Sequence, residues 1–253
     1  MYLTYLDSNS WLLELGGQKI LLDPWLVGPL VFGNLPWLFK GYRPQDRAIP
    51  EGVNLVVLSQ GLEDHAHPQT LKELNKNLPV VGSPNAAKVV AEFGYTEIHA
   101  LDHGQTYRLN EQVEIQAVPG SPIGPTLVEN GYIFKELSSG KTVYYEPHGY
   151  HSPTLKDKGR IDVIITPMID LGLPLVGPII KGTESALKVA EWVKPQVMLP
   201  TAAGGDVKFE GLLISLLRAE GTVEEFQQKL SAHGLSTQAL SPTPGERVEV
   251  PLN

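Results

Sequence analysis

Four ionisable side chains within five residues, Glu63, Asp64, His65 and His67, give this sequence its strongest chemical signal. Imidazoles beside carboxylates serve two kinds of chemistry, proton transfer near neutral pH and capture of a divalent cation through nitrogen and oxygen. The cluster lies inside NLVVLSQGLEDHAHPQT, residues 54–70. Before it, Leu55, Val56, Val57 and Leu58 follow one another without polar alternation, the pattern of a strand buried on both faces. After it, Pro68 suits a first helical position and LKEL continues as a short amphipathic helix. The cluster thus falls where a buried strand ends, a place at which layered α/β proteins tend to bind ligands.

The elements around it must hold those side chains in place. Tyr2 to Tyr5, Ser10 to Leu15 and Lys19 to Leu22 are β-rich, with Gly16-Gly17 as a hairpin signal, so the chain is expected to open as an antiparallel meander ending at Asp23-Pro24. Residues 26–44 are apolar but broken by Gly28, Pro29, Gly33 and Pro36, which predicts a long loop displaying Phe32, Trp37 and their neighbours. Further strands are expected at 79–82, 96–100, 113–118, 132–137, 142–145, 162–167, 196–200, 237–240 and 246–250. Helices are expected at 84–93, 183–193 and 222–233, the last opened by a capping box of Thr222 with Glu225. Strands and helices alternate without a linker, so residues 1–253 are read as one α/β domain, two sheets packed inside two helical layers.

Composition narrows the function classes. A formal charge of -8 in 253 residues leaves no basic stripe for a phosphate backbone, which argues against nucleic acid as a partner. Without cysteine there is neither thiolate catalysis nor thiolate-bound zinc, so any metal needs His, Asp or Glu. The N-terminus lacks a basic region followed by an apolar core, and no apolar run is long enough to span a bilayer, so a cytoplasmic location is expected.

Taken together, YLDSNSWLLELGGQKILLDPWL, VVLSQGLEDHAHPQTL, VPGS, NGYIF, KTVYYEPHGY, IDVIITPM and ESALKVAEWVKPQVMLPT resemble the metallo-β-lactamase-fold hydrolases, lactonase-like branch, in order and spacing. The resemblance implies a four-layer αββα sandwich of two mixed sheets. It also implies a two-metal site built from His-x-His-x-Asp-His, a further His after a Val-Pro turn, a bridging Asp and a final His. Here Gln60 and Leu62 stand at the first two His positions, Ser121 at the third and Thr201 at the last, while Asp64 and His65 are kept. His148 falls at the bridging position, with Glu146 two residues earlier, and Asp7, Ser8 and Asn9 replace a Gly-His-Ser-like turn. One of the two metal sites therefore has no adequate ligand set, and no dinuclear centre is expected. The other retains Asp64, His65 and His148, a set able to hold one Zn²⁺, Mn²⁺ or Fe²⁺. Glu146 and His67 are the candidate proton acceptors beside Asp64.

Structural roles compete with each of these assignments. Asp64 and His65 can pin a strand-to-helix turn with no metal at all, His67 can be a helix-start residue, and His148 a turn residue, while Asp23, which resembles the family's Asp-Pro pair, is a turn cap or equally a site residue. His99, His103 and His233 have no useful partner spacing. Two functions follow. One is hydrolysis of an ester, lactone or phosphoester, with Gln60, Leu62, Ser121, Thr201, Phe32 and Trp37 lining a pocket for a lipophilic small molecule; the segments 26–39, 171–180 and 212–217 would wall it. The other is a silent binding or scaffold protein that keeps the fold without metal. The same apolar segments also suit a membrane surface or, near Leu30 and Leu175, a homo-oligomer contact.

Overall fold

Alternate residues of each interior strand face different layers, which explains why those strands show no polar alternation. In the computed structural model, which describes residues 1–174, 177–202 and 205–252, Leu55 and Val57 join a central core while Val56 and Leu58 pack under two helices. The second sheet behaves likewise: Val143, Tyr145, Val163 and Ile165 enter the central core, whereas Tyr144 and Ile164 face the opposite helical layer. All ten residues are buried.

One sheet runs in the order Arg247–Glu249, Tyr2–Tyr5, Trp11–Leu15, Gln18–Leu22, Leu55–Leu58, Val80–Gly82, Ile98–Ala100. It is antiparallel through the opening meander and parallel from Gln18–Leu22 onward. The other runs Gln238–Ala239, Val197–Leu199, Val163–Ile165, Thr142–Tyr145, Leu127–Glu136, Val113–Ile123, Thr106–Leu109, again parallel at one end and antiparallel at the other. Helices Pro68–Glu73 and Pro84–Ala91 cover the first sheet; Thr183–Val193 and Val223–Ala232 cover the second. The result is the expected αββα sandwich of two mixed sheets.

Several segments differ from expectation. Thr106–Leu109 is an edge strand that the sequence reading lacked, its alternation lasting only four residues. The broken stretch 26–44 is not wholly a loop, because Leu30–Val31 and Lys40–Tyr42 pair with each other and with Lys208–Glu210 in a small third sheet. Gly41 permits this: a Cβ there would lie 2.7 Å from the Trp25 ring, so the strand can approach only without a side chain. The apolar run 171–180 supplies strands Asp170–Leu173 and Gly177–Ile180, while Leu175 lies outside the described residues.

His67 corrects another expectation. Thr70 Oγ1 already accepts the amide of Leu26 at 2.9 Å, so its own proton is free for His67 Nδ1 at 3.1 Å. That ring nitrogen also accepts the Thr70 amide at 3.3 Å, which makes His67 the N-cap of the Pro68–Glu73 helix. Its other nitrogen donates to the Pro29 carbonyl at 3.2 Å. With both nitrogens engaged and the ring 3% exposed, His67 holds a helix start and is no proton acceptor for catalysis.

Burial lowers the His67 pKa from 6.5 to about 4. The folded state therefore needs the neutral ring, so this contribution to stability is whole above pH 6.5 and is lost as pH falls towards 4. Linkage puts the loss at about 2 kcal/mol by pH 5. Urea unfolding at pH 7.5 and pH 5 checks this. His67→Asn keeps a capping oxygen but has no ring to protonate, so its loss between the two pH values should be smaller than that of the unmodified protein.

Candidate metal centre

The ends of five parallel or neighbouring strands deliver the polar residues to one edge of the sandwich. Leu22 leads into Asp23, Leu58 into Ser59 and Gln60, Tyr145 into Glu146, and Leu199 towards Thr201; Tyr5 leads into the turn of Asp7, Ser8 and Asn9. That turn is held hard. Asp7 and Ser8 have φ of 80° and 52°, and the buried Asp7 carboxylate accepts Arg43 Nε and Arg47 Nε, each at 2.7 Å, and the Asp206 amide at 2.9 Å. Burial works against that charge, but the two guanidiniums hold its carboxyl below the usual range.

At the centre of the edge lies His65, fully buried. Its Nδ1 is 2.7 Å from Asp23 Oδ2, which also accepts the hydroxyls of Ser59 and of Tyr145, the latter at 2.6 Å. Asp23 Oδ1 takes the Ser59 amide at 2.7 Å. Every neighbour of this carboxylate is a donor, so His65 Nδ1 carries a proton and Nε2 is the nitrogen available for other work. Nε2 lies 3.0 Å from Asp64 Oδ2, and a ligand atom of His148 completes a cluster whose three atoms all lie within 4.8 Å of one another. The rings of His65 and His148 are 4.9 Å apart.

These distances pose an electrostatic question. The lone pair of a neutral Nε2 and a carboxylate oxygen are both acceptors and repel at 3.0 Å unless something positive lies with them. Either a proton or a metal cation satisfies the pair. Burial opposes charge on His65, yet Asp64 and Asp23 raise its pKa to about 10, while Asp64 is held below its usual range by His65 in spite of its own burial. His148 behaves oppositely: burial and then the charge of His65 lower its pKa to about 4, leaving a neutral imidazole, the form a metal needs.

The donor set fits a divalent cation. Two imidazoles and a carboxylate are a common set for Zn²⁺, Mn²⁺ or Fe²⁺, and Asp23 supplies the carboxylate–histidine contact that usually orients a ligating ring. Asp64 Oδ1 adds an independent sign, because it is buried and has no hydrogen-bond partner among the described residues.

Of the remaining predicted residues, some touch this cluster and others do not. Gln60 Nε2 lies 3.3 Å and Ser121 Oγ also 3.3 Å from His148 Nδ1, so both side chains contact its ring. Thr201 is fully buried and bonds to Ser8 O at 3.1 Å and Asn9 Oδ1 at 3.3 Å, so it secures the turn and does not line a pocket. Leu62 is 39% exposed, and only its carbonyl serves the site, by accepting the amides of His65 and Ala66. Phe32 stacks on Phe39, which meets Phe209, and Trp37 is 63% exposed; these aromatics form a surface cluster beside the small third sheet.

Glu146 is buried, and Oε2 accepts the amides of His148 at 3.2 Å and Tyr150 at 2.7 Å. Burial raises its pKa to about 8. Its carboxyl therefore braces the turn that carries His148 from behind. Two residues outside the expected set belong to the site: Asp23, whose Asp-Pro position at a strand end was the signal, and Asn9, whose Nδ2 is 3.3 Å from His65 Nε2 and 3.5 Å from Asp64 Oδ2.

Fold and site can now be set against known proteins. The chain matches the model of the beta-lactamase superfamily domain over residues 2–202 and belongs to that family. Over 98% of its length it is 26% identical to a protein of Aeropyrum pernix named UPF0173 metal-dependent hydrolase, 96% of which is covered. Among solved structures it is similar to Igni18 of Ignicoccus hospitalis, described as a novel metallo hydrolase, with a TM-score of 0.69 and 18% identity over 100% of this chain and 99% of that one. It is equally similar to an isothiocyanate hydrolase from Delia radicum gut bacteria, with a TM-score of 0.70 and 19% identity over 99% of each chain. At such identities the structural likeness shows the fold alone.

Asp23→Ala should leave His65 without its orienting partner and weaken Zn²⁺ or Mn²⁺ binding about 10–100-fold, as loss of such a supporting group commonly does. Competition with a chromophoric chelator measures this; unchanged affinity would detach Asp23 from the metal centre.

Proposed function

We propose that this protein is a metal-dependent hydrolase working with a single divalent cation held by Asp64, His65 and His148. The observation that carries the proposal is the approach of His65 Nε2 to Asp64 Oδ2 at 3.0 Å, with Nδ1 turned to Asp23 and Asp64 Oδ1 left open. A divalent cation there supplies Lewis acidity, lowering the pKa of water and polarising an acyl or phosphoryl oxygen. Asp23 fixes the tautomer and angle of His65, while Gln60, Ser121 and the Glu146-braced turn fix His148. Asp64 Oδ1 is the free acceptor in the cluster, and its carboxylate can take a proton from an attacking water.

The names of the Aeropyrum and Ignicoccus proteins support metal-dependent hydrolysis as the reaction class. For substrate we favour a small lipophilic ester, lactone or phosphoester. Leu35, Trp37, Leu212 and Leu216 are exposed, and the Leu212 amide bonds to the Trp37 carbonyl, so the two apolar segments share one surface. The Gly33 amide lies 3.5 Å from Glu63 Oε1, which connects that surface to the loop carrying Asp64.

One observation favours the alternative of a silent binding protein: a proton on His65 alone would satisfy Asp64 and Asp23 together. Metal analysis separates the two. Protein prepared without chelator should contain about one Zn, Mn or Fe per chain, and His65→Ala and His148→Ala should each lose most of it. With Mn²⁺ or Zn²⁺ added, hydrolysis of lactone, thioester or phosphodiester substrates should disappear in Asp64→Ala. A metal-free, inactive wild-type chain would leave the silent protein standing.

A further inference from the structure

In a chain with a formal charge of -8, a cluster of unpaired cations is unexpected. Several surface cations have a carboxylate partner, as Lys40 has Glu210, Lys229 has Glu184 and Arg247 has Glu14, whereas Lys156, Lys181 and Lys188 form no ion pair among the described residues. They lie against aromatic rings instead. The Lys181 ammonium is 4.3 Å from the centre of the Tyr150 ring, and those of Lys156 and Lys188 are 4.8 Å and 5.5 Å from the centre of Trp192. Two like charges therefore share one indole, and with a screening length of about 8 Å in physiological salt they still repel each other.

Beside these side chains is a cavity of 340 Å³ whose walls include Tyr150, His151, Lys181, Ser185, Lys188 and Trp192, and no carboxylate. That volume suits a small molecule. His151 contributes no charge, since its nitrogens face Tyr144 Oη at 3.1 Å and Thr166 Oγ1 at 3.5 Å and burial lowers its pKa to about 3. Only the ammonium groups give the cavity its sign.

We propose that this cavity is a second binding site, separate from the metal centre, for a small molecule carrying a phosphoryl group. Lysines favour that group over a carboxylate: a planar carboxylate is best met by the fork of an arginine, and none lines the cavity, whereas several point charges suit a compact, multiply charged tetrahedral anion. Tyr150 and Trp192 offer apolar surface to the organic part. The walls are also fixed in advance. The Lys181 amide donates to the His148 carbonyl at 2.9 Å, and a Cβ on Gly149, which has φ of 77°, would lie 1.6 Å from the Lys181 carbonyl oxygen. Glycine alone permits that approach, which sets Lys181 on the same turn as Tyr150. The site needs no metal, so it stands or falls independently of the single-cation function.

The test is isothermal titration of wild type and Lys181→Met/Lys188→Met with phenylphosphonate, whose carbon–phosphorus bond resists hydrolysis, and with benzoate, paired with a wild-type crystal soaked in phenylphosphonate. Methionine keeps the aliphatic stem over each ring and removes only the charge. Phosphoryl oxygens should lie about 2.7–3.2 Å from the ammonium groups of Lys181 and Lys188. Wild type should bind phenylphosphonate at least about 10-fold more tightly than benzoate, and the double variant should lose at least about 10-fold of that affinity. Phenylphosphonate found only at Asp64, His65 and His148, or bound equally well by the double variant, overturns the second site and leaves the metal-centre reading untouched. Benzoate binding as tight as that of phenylphosphonate overturns the phosphoryl assignment. No binding of either leaves the lysines as mere cover for the two rings and overturns the proposal as well.

Discussion

A carboxylate removed from water costs several kcal/mol unless donors meet its lone pairs, and Asp23 is fully buried. Its donors come from different parts of the molecule. Ser59 follows the Leu55–Leu58 strand, Tyr145 ends a strand of the opposite sheet, and His65 stands in the loop before the first helix. One side chain thus fastens the two sheets at the edge where their loops gather. It also dictates the state of His65, because only a protonated Nδ1 is tolerated beside it. Everything inferred about cation binding depends on that tautomer.

The charges around this centre are arranged by burial more than by number. His65 and His148 have rings 4.9 Å apart, yet their pKa values move in opposite directions. His65 lies between two carboxylates; His148 lies beside the neutral side chains of Gln60 and Ser121 and feels the charge of His65. Such a divergence between neighbours of one type is frequent at functional sites. It also makes metal and proton rivals for the same lone pair, so uptake of metal should release a proton.

Much of the fold was legible because interior strands announce themselves. Leu55 to Leu58 and Val163 to Ile165 have no polar alternation, and the structure shows why: successive residues enter different hydrophobic layers. Helix starts were legible from Pro68 at a first helical position and from the cap Thr222. Thr106–Leu109 was not, since its alternation of exposed and inward residues lasts only four positions. At the site, the gathering of Asp64, His65 and His148 followed from strand ends and family resemblance. The work of His67 and Glu146 did not, because whether a buried imidazole or carboxylate serves the backbone or a ligand depends on hydrogen bonds that spacing does not encode. The approach of Asn9 to the cluster was hidden for the same reason, its neighbours being 55 and 56 residues away.

The central claim is that the space between His65 Nε2 and Asp64 Oδ2 is made for a metal cation. Nitrogen-15 NMR of the histidine rings during a titration with ¹¹³Cd²⁺ tests it directly. The account predicts that His65 Nε2 loses its proton and gains a coupling to cadmium, while Nδ1–H stays bound to Asp23. Retention of the Nε2 proton at saturating metal would contradict it.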